Sequence, residues 1–158
     1  MLRKVILFTA TLLLLLVISV ASVGATSPPT DVEFVADIDF TGGVGSSFGP
    51  FTASGPAVDE GLMCESGMAT AMSSKVSGAQ SNTGFNVQVT YAFTCDDGSG
   101  EFFIKLQVRI DQKGDNFNWV VVGGNGDYEK LHGTGSGIGF PLGEGRVLDV
   151  YDGWVHID

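Results

Sequence analysis

The stretch GGNGDYEKLHGTGSGIG, Gly123 to Gly139, is dense in glycine at both ends and holds Tyr128 and Leu131 between them. A flexible linker has no use for a tyrosine and a leucine at its centre. A phosphate-binding loop needs a helix behind it, and GTGSGIG lacks the dinucleotide spacing and the βαβ context. The reading that fits is a tight corner between two barrel strands. Gly123, Gly124 and Gly126 permit left-handed backbone at the turn. Tyr128 and Leu131 are placed to plug a barrel end. Gly133, Gly135, Gly137 and Gly139 then recur at period two, so one face of the returning strand has no side chains. A neighbouring aromatic or backbone can approach such a face closely, and the strand can bend sharply.

The flanking sequence has the same two-residue period. In FNVQVTYAFTC, the residues Phe85, Val87, Val89, Tyr91, Phe93 and Cys95 alternate with mostly polar ones. FFIKLQVRID repeats the pattern with Phe102, Ile104, Leu106, Val108 and Ile110, and DDGSG between them is a turn. Two alternating runs joined this way make a hairpin. QKGDN is a second turn and NWVVVGG a third strand. Near the start, VEFVADIDF places Phe34, Ala36, Ile38 and Phe40 on one face. FTASGPAV reads as a strand with Pro56 at its edge or end, and GLMCESG as a loop. MATAMSSKVSG fits strand or helix, and its Ser and Thr content favours strand. The last segment, GRVLDVYDGWVHID, carries apolar bulk on both faces, as a strand covered on two sides or lining a barrel would.

The fold expected is all-β, a small antiparallel β-barrel of about eight strands forming a single domain over residues 31–158. A barrel removes the exposed edges that recruit other chains. A β-sandwich is the competing solution, and periodicity alone does not separate them.

The N-terminus reads differently. Arg3 and Lys4 precede an apolar run from Val5 to Val20, and Val23 and Ala25 suit cleavage after Ala25. This is the layout of a signal peptide over residues 1–25, with an uncleaved N-terminal membrane anchor as the alternative. Residues 26–30, TSPPT, read as an extended tether. Cleavage removes two basic residues and leaves six against 18 acidic ones, a net charge of −12. Such a chain repels nucleic acid and anionic membranes. Localisation is therefore expected to be secreted or extracytoplasmic, with no stable membrane span after cleavage. Cys64 and Cys95 are the two cysteines, and in an oxidising compartment an even count implies one disulfide. Two cysteines with no histidine nearby are too few ligands for a metal site.

WVVVGGNGDYEKLHGTGSG resembles the allene oxide cyclase/dirigent-like β-barrels and related secreted bacterial barrels. In those, a strand ends in Gly-Gly, a short corner carries an aromatic and a small or apolar residue, and a glycine-rich strand returns. The matching positions are Gly123, Gly124, Gly126, Tyr128, Leu131, Gly133 and Gly135. The resemblance covers about twenty residues well and extends more loosely from Phe85 onwards. It implies a barrel whose ligand, if any, occupies the lumen. No matching set of catalytic residues is present, so the cyclase and radical-steering activities of those families do not carry over.

Other motifs are weak. Gly45-Ser46-Ser47-Phe48-Gly49 matches G-x-S-x-G, but that motif requires a strand-to-helix turn, and here β pattern resumes at once. His132 and His156 offer a Ser–His–Asp arrangement with Asp149 or Asp152 only if the fold gathers them. Asp96–Asp97, Asp111 with Asp115, and Asp127 with Glu129 are acidic turns without the ordered spacing of a calcium loop. Neither a metal nor a cofactor is expected. The aromatic residues Tyr91, Phe103, Trp119, Tyr151 and Trp154 are candidates to line a lumen for an apolar ligand, although small barrels are usually filled by side chains. Three functions fit. One is a non-enzymatic secreted protein binding a small apolar or phenolic ligand. Another is a cyclase- or isomerase-like enzyme, which requires polar groups inside the lumen. The third is a structural or interaction protein with a packed core.

Overall fold

Alternation along the chain becomes alternation across a closed sheet. A computed structural model describes residues 27–78, 84–111 and 114–158. The signal-peptide reading, Thr26 of the tether and part of the QKGDN turn lie outside these residues. Eight strands form one antiparallel barrel in sequence order. They are β1 (Thr30–Asp39), β2 (Phe48–Ser54), β3 (Ser66–Ser77), β4 (Phe85–Cys95), β5 (Gly100–Asp111), β6 (Gly114–Gly126), β7 (Leu131–Gly143) and β8 (Arg146–Ile157). β1 pairs with β8 from Thr30↔Val155 to Asp39↔Arg146, which closes the sheet and excludes a sandwich. Ser27 is already fastened to this seam: its backbone N–H donates to the Ile157 carbonyl at 2.9 Å, and its hydroxyl accepts from the Ile157 N–H at 2.7 Å.

Two short elements differ from the sequence reading. The second strand begins at Phe48 and stops at Ser54, so Pro56 is not a strand residue. It starts a single helical turn, α1 (Pro56–Asp59), which buries Ala57. Proline suits that first helical position because its missing N–H has no partner there in any case. MATAMSSKVSG is strand, in keeping with its Ser and Thr content, and it pairs with β4 through a bulge between Ala71 and Ser73.

The barrel has two unlike ends. At the corner end, Cys64 and Cys95 form the disulfide, closing a loop worth roughly 3–4 kcal/mol in the chain-entropy model. Tyr128 and Leu131 are both buried at this end. The Tyr128 hydroxyl lies 2.8 Å from that of Ser99, and Gly126 makes the turn at φ +61°, where a side chain would be strained. Aromatic rings fill the middle. Phe34 stacks on Tyr151 at 4.1 Å between centroids, Phe93 stacks on Phe102 at 5.1 Å, and Phe51 meets Phe93 edge-on.

The bare face of β7 gives these rings their space. A Cβ at Gly135 would lie 2.6 Å from Nε1 of Trp119 and collide with the Asp152 carbonyl oxygen. At Gly137 it would overlap the Phe117 ring and the Val150 carbonyl. Trp119 therefore lies flat over the strand pair, and its indole N–H reaches the Ser136 and Asp152 carbonyls at 3.2 Å each.

Candidate functional site

Ring packing stops short of the other end of the barrel. There β1, β5 and β7 finish while β4, β6 and β8 begin. A cavity of about 400 Å³ occupies the lumen at this end, within the size range of small-molecule sites. Its walls are mainly aliphatic: Val87 and Val89 from β4, Leu106, Val108 and Ile110 from β5, and Val147 from β8. Phe40, Val44, Phe85 and Pro141 contribute nearer the loops. The inward register of each strand continues from the ring-filled middle into the cavity. The change is one of size, from Phe, Tyr and Trp to Val, Leu and Ile.

Polar groups are few. Asp149 sits on the inward face of β8 between Val147 and Tyr151. It is 7% exposed, lines the cavity, and makes no hydrogen bond among the described residues. Loss of water, and then the nearby charge of Asp115, push its carboxyl up to about 7. Asp115, at the start of β6, also lines the cavity, and it too is raised, by its own burial and by Asp111. The Tyr91 hydroxyl lies 2.6 Å from the Ser47 hydroxyl. Burial drives the phenol far above its usual range, against the partial opposition of the Ser47 hydrogen bond. The Tyr151 hydroxyl is buried without a hydrogen-bond partner among the described residues. Among those residues Arg146 brings the one cationic side chain on the lining, and its guanidinium is forked onto both Asp37 oxygens outside the cavity.

Sequence candidates divide by strand register. Among the five aromatics, Tyr91 lines the cavity. Trp119 and Tyr151 are part of the filled core, at 1% and 0% exposure. Phe103 and Trp154 do not line the lumen. Each falls on the outward face of its strand, one residue out of step with the buried Phe102 and Val155. The two histidines are cross-strand partners on the outside of β7 and β8, both next to the Asp158 carboxylate. That places them at the corner end, away from Asp149, so no Ser–His–Asp arrangement assembles. Ser47 is no nucleophile elbow either. A 3₁₀ turn precedes it, β2 follows it, and its hydroxyl donates to the Val44 carbonyl at 2.8 Å. Among the described residues no three His, Cys, Asp or Glu side chains gather as metal ligands. At the acidic turn of Asp97, the carboxylate takes the Ser99 N–H and hydroxyl instead.

Asp149 is a lumen residue that the aromatic pattern does not reveal, although the sequence carries a signal for it. An acidic side chain stands in the inward register of β8, between Val147 and Tyr151, where alternation calls for apolar bulk. No protein-family model matches the chain, and no curated protein matches it.

Proposed function

We propose that this protein is an exported carrier or sensor barrel that binds one small, largely apolar molecule in its lumen. The observation that carries this reading is the division of the lumen. Half is packed with rings, while about 400 Å³ at the other end is lined by aliphatic side chains and left empty of protein. A purely structural barrel gains nothing from an apolar recess of this size, since larger side chains at the same positions would add packing contacts. Export is supported by the N-terminal pattern and by the Cys64–Cys95 bridge, a bond that persists in oxidising compartments. No helix among the described residues is long and apolar enough to cross a membrane. Kinship with the allene oxide cyclase/dirigent-like barrels is part of the proposal, supported by the closed eight-stranded architecture and the glycine corner. It carries no activity with it.

Nile red, a neutral apolar dye that brightens in dry surroundings, tests the reading. The wild-type barrel is expected to bind it. Combining Val89→Trp with Val108→Phe puts bulk into the cavity and is expected to weaken binding roughly tenfold or more, with the far-ultraviolet circular dichroism unchanged. Equal binding by the filled variant would move the dye to the surface and remove the proposal.

A further inference from the structure

The inward polar groups of the cavity, Tyr91, Asp115 and ionised Asp149, offer acceptors. A hydroxyl has one proton. Ser47 gives its proton to the Val44 carbonyl, so Tyr91 must donate in the short Tyr91–Ser47 contact. That leaves Tyr91 only lone pairs to offer. Asp149 and Asp115 are acceptors whenever ionised. Arg146, exposed at the rim, spends its Nε–H and one Nη2–H on Asp37 and keeps its other N–H groups on the solvent side. Tyr151 keeps a proton without a partner among the described residues, but its hydroxyl is fully buried and outside the cavity wall.

Charge points the same way. Asp149 and Asp115 lie close enough for each to bear on the same apolar space, and Asp37, Asp39 and Glu144 surround Arg146 at the rim. An acidic pair alone would say little. Here one member, Asp149, is 7% exposed, lines an apolar cavity open at the barrel end and makes no hydrogen bond to another described residue. A carboxylate that has lost most of its water gains from a donor brought into the cavity.

Resting on the binding function proposed above, we infer that the ligand is a hydrophobic amine in its protonated form. Its ammonium is held by Asp149, and its apolar body lies among Val87, Val89, Leu106, Val108 and Ile110. An ammonium has three donors and no acceptor, which complements walls that offer lone pairs and negative charge. A phenol or alcohol supplies one donor and no charge. A carboxylate supplies neither and meets repulsion.

The raised carboxyl adds a signature. The titratable groups that face Asp149 are Asp115 on β6, Tyr91 on β4 and Tyr151 on β8, while Arg146 at the rim is engaged by Asp37, Asp39 and Glu144. An ammonium beside Asp149 favours its ionised form, so binding below about pH 7 must release a proton. Amine affinity is therefore expected to rise from pH 5 to pH 8.

Titration calorimetry on the full disulfide-bonded chain tests this with four probes: n-octylammonium, n-octanol, n-octanoate and methylammonium. At pH 8, n-octylammonium is expected to bind roughly tenfold or more tighter than n-octanol, since a hydrogen bond to a charged partner is worth that much. n-Octanoate is expected to be weakest of the three chains, and methylammonium to show no saturable binding. Asp149→Asn is expected to bring n-octylammonium and n-octanol to within about threefold. The wild-type comparison is decisive even if that variant fails to fold. Binding of n-octanol as tight as the amine would overturn the inference and leave the apolar-ligand reading standing. So would tighter binding of n-octanoate. Methylammonium binding as tightly as n-octylammonium would place the effect on the acidic surface and overturn it too. Failure of all three chains to bind, together with failure to take up Nile red, would overturn both.

Discussion

Gly137→Ala is expected to cost about 3 kcal/mol or more of unfolding free energy, or to leave no folded protein at all. The added methyl would fall on the Phe117 ring and on the Val150 carbonyl oxygen. The ring is confined by Tyr151, 4.8 Å away between centroids. The carbonyl belongs to β8, which pairs with β7 along nearly its whole length, so it cannot retreat without opening the ladder. Ser136→Ala provides the control one residue away. Its side chain is on the exposed face, and a change within about 0.5 kcal/mol is expected. Urea unfolding at constant pH reads both. If Gly137→Ala unfolds at the wild-type urea concentration, Phe117 does not lie against β7, and bare glycine is not what lets the barrel curve.

Asp149→Asn is expected to make the protein more stable at pH 8 while leaving it nearly unchanged below about pH 4. The carboxyl stands at about 7 in the folded chain, against 3.8 for an unperturbed aspartate. A raised carboxyl is a group whose proton the native state keeps after the unfolded chain has lost it. Its contribution is intact below about pH 4 and is lost as pH rises through 7. Between pH 5 and 8 the loss amounts to about 2–3 kcal/mol at 1.36 kcal/mol per unit. Asparagine has no proton to lose, so the variant should not show that part of the slope. Asp39 and Asp97 are shifted downward by hydrogen bonds from Thr41 and Ser99, and they act in the opposite sense at acid pH. They are common to both proteins and cancel in the difference. Parallel stability profiles for wild type and variant between pH 5 and 8 would show that Asp149 is hydrated, not buried in an apolar cup.

Much of the barrel is written in local pattern. β4 and β5 are legible because a two-residue period held over ten or more residues has no helical counterpart. The corner is legible because Tyr128 and Leu131 are bulky residues in a run of glycines. The Cys64–Cys95 bridge follows from a count of two. Legibility fails where the segment is short and locally ambiguous. Phe48–Ser54 contains Gly49 and Pro50, which break the pattern, while Pro56 serves a helical turn as readily as a strand edge.

The cavity is harder to read for a different reason. Whether a lumen position is filled depends on residues from distant strands that meet at one height in the barrel. Trp119 fills its layer because Gly135 and Gly153 make room, and no neighbour in sequence announces this. Val87, Val89 and Val108 are smaller side chains in the inward register, and they border the cavity. Phe103 and Trp154 suit a lumen by chemical type, yet their registers, one step from Phe102 and Val155, point outward. Asp149 shows the same lesson in reverse. Its register is inward, and its charge marks a place where the lumen departs from hydrocarbon.

The most direct test is native mass spectrometry of the protein isolated from its own host without organic solvent. A barrel that carries a single small molecule at its aliphatic end should appear with one discrete added mass. That mass should be lost when Val89→Trp and Val108→Phe occupy the space. A bare polypeptide mass from the host, with no uptake of Nile red or n-octylammonium afterwards, would contradict the reading of the lumen as a binding site.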